Sequence, residues 1–422
     1  MRPGQLSRRQ LLRLGLLSGF VPLPLLSASA AATRDRKFLF VFCPGGWDQL
    51  VVFCTRFNEG ADRYSEAEAS EAGGVPFVDS ESRPSVRAFF EDWGDRAAII
   101  NGLKVPSVSH EICRRLMMTG SSLLGHDDWY SLLGSRATED LPMPSVHIQG
   151  PIYPVSTLSS VVRVGNAGQL PALLDGSALT DWADRPHEAP AAAVAELEDA
   201  FLSARLSALT ASTSGRYKGY VEGQAAARAR ILRIQDLAGA LVVESGATLA
   251  DQGAIVADCL EQGVSRAGMI AMEGVAAGWD THASNLFQDV SFESLFEGLG
   301  QIMTDLASRS GHSGGSLLDE TTVVVLSEMG RVPSLNIAGG KDHWTWTSAM
   351  IVGSGVAGGQ AVGAYNEQIE GELIDIGSGE VSADGAYLTP AHLGATLLAL
   401  ADIDPGEYID PSQGEPILAA MA

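Results

Sequence analysis

The amino-acid sequence predicts an α/β protein: a doubly wound, mostly parallel sheet with helices on both faces. Three observations predict it. Lys37 to Cys43 is a nearly continuous apolar run that stops at Pro44-Gly45-Gly46, the pattern of a strand buried on both faces. Similar runs then alternate with helical stretches almost to the end of the chain. The loops beside these runs carry carboxylates and histidines flanked by glycine, where ligands bind in such sheets.

Taken in order, the first segment sets the compartment. Ser7-Arg8-Arg9-Gln10-Leu11-Leu12 is a twin-arginine pattern. It is followed by an apolar stretch to Leu26 and a small-residue cleavage site, Ala28-Ser29-Ala30. Residues 1–30 therefore read as an export signal, with a periplasmic or extracellular destination. The competing reading is a membrane anchor. The stretch is short for a span, carries Arg13, and is broken by Pro22 and Pro24. No later segment is long and apolar enough to span, so no transmembrane segment is expected after signal removal.

The remainder, 31–422, reads as one domain. After Lys37–Cys43, Ala97 to Ile100 is a second strand ending at Asn101-Gly102. Ser145–Ile148 and Val161–Val164 are weaker candidates. A helical insertion follows at about 189–247, two Ala-rich helices joined at Thr210 to Gly215. Ala247–Gln262 is helical, Ala267–Met272 a strand, Phe292–Ser308 a helix and Thr321–Leu326 a strand. Ser348–Val352 and Pro390–Ala401 close the series as strand and helix.

The chain has 28 basic and 51 acidic residues, a net charge of −23. The signal holds four arginines and no acid, so its removal leaves about −27. That balance excludes a nucleic-acid partner held by bulk electrostatics. It also means that an anionic substrate needs local cations. The four cysteines (Cys43, Cys54, Cys113 and Cys259) form no metal-knuckle spacing. Export permits a Cys43–Cys54 disulfide; buried free thiols are the equal alternative.

The chemistry-bearing residues lie beside strand ends. Asp48 follows the first strand. Asp280 and His282 follow the run ending at Met272, Glu328 follows Leu326, and Asp342 and His343 precede the strand at Ser348. Singly, each is an ordinary turn former, cap or structural histidine. Together they form a donor set for a divalent metal. Ser109 stands at a helix N-cap position with His110 next to it. This is the place for simple capping, or for a nucleophile favoured by the helix N-terminus.

The order of these motifs resembles the secreted family catalogued as domain of unknown function 1501, within the alkaline-phosphatase-like and sulfatase-like superfamily. The matching pieces are Phe40 to Asp48, Ser109-His110, Gly278-Trp279-Asp280-Thr281-His282, Val325 to Arg331, Gly339 to His343 and Leu388 to Pro405. The resemblance implies an alkaline-phosphatase-like fold and an exported metal-dependent hydrolase of phosphate or sulfate esters. It implies Ser109 as nucleophile beside His110. It implies Asp48, Asp280, His282, Glu328, Asp342 and His343 as the metal set, holding one or two ions of Zn, Mn or Ca. Met329 stands where the superfamily has a histidine ligand, which leaves the second metal open. The implied partner is a small anionic ester or a cell-envelope component. Arg114, Arg115 and Arg331 are candidates for local positive charge. The alternative is a non-catalytic envelope protein that binds or assembles on the same fold.

Overall fold

The computed structural model describes residues 36–164, 192–235, 248–275 and 278–422. The expected export signal and both ends of the expected helical insertion lie outside the described residues. Strand β1 (Lys37–Phe42) is buried along its whole length. Its side chains alternate between two cores: Leu39 and Val41 join one apolar cluster, Phe38, Phe40 and Phe42 the other. A strand with no polar face must lie centrally in a covered sheet.

The chain continues through the hairpin β2 (Glu68–Ala72) and β3 (Val75–Asp79), then β4 (Ala97–Lys104), β5 (Ser145–His147), β6 (Val161–Arg163) and β7 (Ala267–Ala271). It ends with β8 (Thr321–Leu326), β9 (Gly330–Arg331), β10 (His343–Trp344), β11 (Trp346–Gly353), β12 (Gln360–Val362), β13 (Leu373–Ile374) and β14 (Ala386–Tyr387). Eight strands make the main sheet in the order β12-β4-β11-β8-β1-β7-β5-β6. β1 pairs in parallel with β7 and β8, β5 with β6 and β7, and β12 with β4. β11 is antiparallel to both β4 and β8. The fold is thus α/β with a large, mostly parallel central sheet.

Helices cover both faces. Apolar residues of Pro84–Trp93, Leu249–Glu261 and Leu286–Ser308 pack into the cluster shared by Leu39 and Val41. Those of His110–Thr119, Trp129–Ser135 and Pro390–Leu400 pack into the other. The expected paired helices appear as Ala192–Ser212 and Gly215–Gln235, with the break at Thr213-Ser214. All four cysteines are free and buried. No described helix is long and apolar enough to cross a membrane.

Two expectations change. β4 runs through Asn101-Gly102, a pair that predicts a strand end. Gly102 adopts φ 69° within the strand, and Asn101 reaches the Phe53 carbonyl and the Ser348 hydroxyl. The expected strand at Ser348–Val352 is longer and reversed. Because β11 runs against its neighbours, it enters the sheet at the edge where β1, β4, β7 and β8 leave it. That reversal brings a segment preceding a strand to the same rim as segments that follow strands.

Candidate metal centre

Two tryptophans fasten the rim loops to the core. Trp47, after β1, stacks on Phe292 at 5.8 Å, and Trp279, after β7, meets the same ring edge-on at 5.0 Å. Each indole N–H is satisfied, by Thr347 Oγ1 at 2.9 Å and by the Met272 carbonyl at 2.8 Å. Buried indoles of this kind hold loops with several kcal/mol of packing, about 3–5 on truncation.

Arg331 ties these loops to each other. It is fully buried, and its guanidinium donates to the carbonyls of Gly45, Gly46, Trp279 and Lys341. Its fifth bond, 2.6 Å, goes to Asp280 Oδ1. Gly45 completes the junction with φ 128°, where a Cβ would lie 2.8 Å from the Asp280 backbone nitrogen. Its N–H donates to both Glu328 oxygens, at 2.8 and 2.9 Å. Gly45→Ala is therefore expected to destabilise the fold by about 1–3 kcal/mol and to weaken cation binding by pushing the Asp280 loop outward. Chemical denaturation and a metal titration check both; a variant unchanged in either would show that the loops are not locked here.

On this frame three imidazoles converge on one carboxylate. His343 Nε2 lies 3.1 Å from Asp280 Oδ1, His282 Nε2 3.2 Å from the same oxygen, and His110 Nε2 3.4 Å from Asp280 Oδ2. His282 Nε2 and His343 Nε2 are 3.0 Å apart. One donor atom each from His110, Asp280 and His343 falls within a mutual 4.8 Å.

Each ring is turned by its other nitrogen. His343 Nδ1 sits 2.7 Å from the Val108 carbonyl, His282 Nδ1 2.9 Å from Asp342 Oδ1, and His110 Nδ1 3.0 Å from Glu328 Oε1. A carbonyl or a carboxylate only accepts, so the Nδ1 atoms donate, and a neutral ring then points its Nε2 lone pair inward. Lone pairs 3.0 Å apart beside a carboxylate repel unless a proton or a metal cation lies among them. The 3.0–3.2 Å triangle of Asp280 Oδ1, His282 Nε2 and His343 Nε2 also matches one face of a zinc-like tetrahedron, whose edge is about 3.3 Å for bonds of 2.0–2.1 Å, and His110 approaches the other carboxylate oxygen. The residues therefore fit a divalent cation, and the outer acceptors are the partners that orient metal-binding histidines.

Charge follows the same geometry. Burial raises the pKa of Asp280, but the hydrogen bonds from Arg331 and His343, with the charges of Arg331 and His110, outweigh it and hold the carboxyl at about 2. Glu328 is raised by burial and lowered more by His110, Gly45 N–H and Arg114, ending below the usual glutamate range. The hydrogen bond to Glu328, opposed by burial, places His110 above the usual histidine range in the cation-free chain. Metal binding would then release a proton.

The expected site residues thus separate. His110, Asp280, His282 and His343 meet. His110, expected beside the nucleophile in a catalytic role, stands among the metal donors. Glu328 and Asp342, expected as ligands, stand behind His110 and His282 as orienting acceptors; their oxygens face the Nδ1 atoms. Asp48 is corrected outright. It is buried, and its oxygens are taken by Lys341 Nζ at 2.8 Å, Asn285 Nδ2 at 2.9 Å and the Leu50 N–H at 3.0 Å. Asp48 caps the short helix Gln49–Val52 and leaves no free edge for a metal. The donor set would suit one cation, and its imidazoles with one carboxylate differ from the six to eight oxygens that calcium takes. Ser109 is exposed, at the N-cap of His110–Thr119, and makes no capping bond.

Lys341 and Arg331 were not singled out as structural residues in the sequence. Their signal was the density of polar residues in Gly339 to His343 and Ser327 to Arg331, which does not distinguish a ligand from the cation that neutralises a buried carboxylate.

A family model described as "Protein of unknown function (DUF1501)" matches residues 35–419. Among solved structures, the chain is similar to Ps i-CgsB in complex with k-i-k-neocarrahexaose, with 10% identity, 91% of this chain and 75% of that chain covered, and a TM-score of 0.41. It is similar to BT1596, a 2-O GAG sulfatase, with 10% identity, coverage of 90% and 73%, and a TM-score of 0.39. It is also similar to the lipooligosaccharide phosphoethanolamine transferase A of Neisseria meningitidis, an integral membrane protein, with 10% identity, coverage of 93% and 59%, and a TM-score of 0.41. No curated protein matches the chain.

Proposed function

We propose, on the premise that the chain belongs to the DUF1501 family, that it is an exported metal-dependent hydrolase of phosphate or sulfate esters. The observation that carries the reading is the convergence of three imidazole Nε2 atoms on Asp280, each ring turned by its own acceptor. His110, Asp280, His282 and His343 would hold one divalent cation. When bound, it would polarise an ester oxygen and ease deprotonation of a nearby hydroxyl.

The chain's own residues supply the remainder. Ser109 precedes His110 in sequence, at the positive end of a ten-residue helix. Its exposed hydroxyl, free of a capping bond, is the proposed nucleophile. Glu328 and Asp342 fix which nitrogen of His110 and His282 faces inward. Arg331 holds Asp280 ionised and in place. The twin-arginine pattern supports an extracytoplasmic location, where a small anionic ester or a phosphorylated or sulfated envelope component would be the substrate.

The test is turnover of p-nitrophenyl phosphate and p-nitrophenyl sulfate by the metal-loaded protein. Ser109→Ala is expected to keep the cation and to lose turnover by on the order of a thousandfold. Equal turnover in this variant would remove Ser109 from the chemistry. A metal-loaded protein inert to every ester would leave the binding or assembly role instead.

A further inference from the structure

We propose that Arg114 is the residue that grips the tetrahedral oxyanion of the substrate, fixing its class as an ester with non-bridging phosphoryl or sulfuryl oxygens. The inference rests on the hydrolase reading above. Arg114 and His110 lie four residues apart on one helix, hence on one face, and both touch the same Glu328 oxygen, His110 at 3.0 Å and Arg114 Nε at 3.4 Å. That single long contact is the only hydrogen bond of the guanidinium among the described residues. Both terminal nitrogens are unpartnered, on a half-exposed side chain beside the cation cluster.

The neighbouring guanidiniums are occupied. Arg331 is fully buried and spends its donors on four carbonyls and Asp280. Arg115 pairs with Glu111 at 3.0 Å, donates to the Ser122 carbonyl and lies over the Tyr153 ring. Arg114 therefore offers a planar pair of N–H donors on the rim of the site. That fork matches two oxygens of a phosphate or sulfate, which a lone ammonium does not.

The charge balance agrees. Asp280, Glu328 and Asp342 against Arg331 and Arg114 sum to −1, and a divalent cation among neutral imidazoles brings the cluster to +1. The loaded cluster thus attracts an anion. In a chain of net charge −23, that local positive charge is what an anionic substrate requires. Glu328 holds the Nε edge and leaves the two terminal amino groups free of protein partners among the described residues.

The experiment is calorimetric titration of inorganic phosphate, and separately of sulfate, into the metal-loaded full chain, with metal content measured in every sample. Arg114→Gln is expected to keep full metal content and weaken phosphate binding by about ten- to a hundredfold, the range for a charge-assisted hydrogen-bond pair. Arg114→Lys should recover only part of it. In the ester assay the same change should raise KM more than it lowers kcat. Full metal content with unchanged phosphate affinity in Arg114→Gln overturns the role of Arg114 and leaves the metal centre standing. A wild-type chain that takes up no divalent metal overturns both. Weakening of sulfate binding alone would assign sulfate esters, and of phosphate alone phosphate esters.

Discussion

Asp280→Asn is expected to remove the bound divalent cation, and ester turnover with it, while the protein stays folded. The carboxylate is the sole negative group on which all three inward imidazole nitrogens converge. An amide is a weaker donor and turns N–H groups toward the histidines. Loss of a group that only orients a ligand typically costs 10- to 100-fold in metal affinity. Loss of the ligand itself should therefore exceed about a hundredfold. The fold should survive because Asp280 is exposed and Arg331 keeps its four carbonyl acceptors. Glu328→Gln makes the graded comparison: it keeps an acceptor for His110 Nδ1 but removes the charge, and should fall between wild type and Asp280→Asn. Zinc or manganese content by mass spectrometry, with competition titration for affinity, reads both. Undiminished metal in Asp280→Asn would mean that the histidines bind through some other arrangement.

The largest stability effect is expected at Lys341, whose ammonium sits 2.8 Å from Asp48 with both side chains buried. Lys341→Met leaves a carboxylate in the interior with only the Asn285 amide and the Leu50 N–H as partners. Breaking a buried pair from one side costs about 3–5 kcal/mol. Lysine also donates to the Asp62 carbonyl at 2.9 Å, and that acceptor loses its partner too. The Asp48→Asn/Lys341→Met double variant should regain most of the loss, since no unpaired charge remains. Denaturant unfolding of the two single variants and the double gives the coupling. A mild Lys341→Met variant, or a double variant no better than the singles, would show that the pair is not what holds the β1 loop.

The parts of this molecule written in one-dimensional pattern were legible. Thr321–Leu326 and Lys37–Phe42 are continuous apolar runs, and the central sheet positions follow from them. Leu249–Glu261 was placed to within about two residues, because Thr248 forms a capping box with Asp251. The direction of β11 was not legible, since a buried strand reads the same both ways. The missed helix Pro84–Trp93 begins at a proline, which serves equally as a turn former, and Leu286–Ser308 starts six residues early because Leu286 and Val290 are exposed and blur its apolar stripe.

At the site, the residue types were legible and their roles were not. Asp48, Glu328, Asp342 and Asp280 look alike in sequence: acids beside glycine at strand ends. What separates them is the partner each meets: an ammonium for Asp48, an imidazole Nδ1 for Glu328 and Asp342, and three Nε2 atoms for Asp280. Those partners come from segments up to 293 positions away (Asp48 to Lys341), a distance over which no spacing rule operates.

The reach of Arg331 has one more effect. Its bond to the Gly45 carbonyl spans 286 positions, and its bond to Asp280 spans 51. The candidate ligands come from three stretches of chain, near 110, 280–282 and 343, and none of these makes a pocket alone. An intermediate in which β7 has not yet docked against β1 lacks Asp280 and His282, half the donor set. Tight retention of a cation would therefore be a late event, and its appearance would date the moment at which β7 has docked beside β1 in the middle of the sheet.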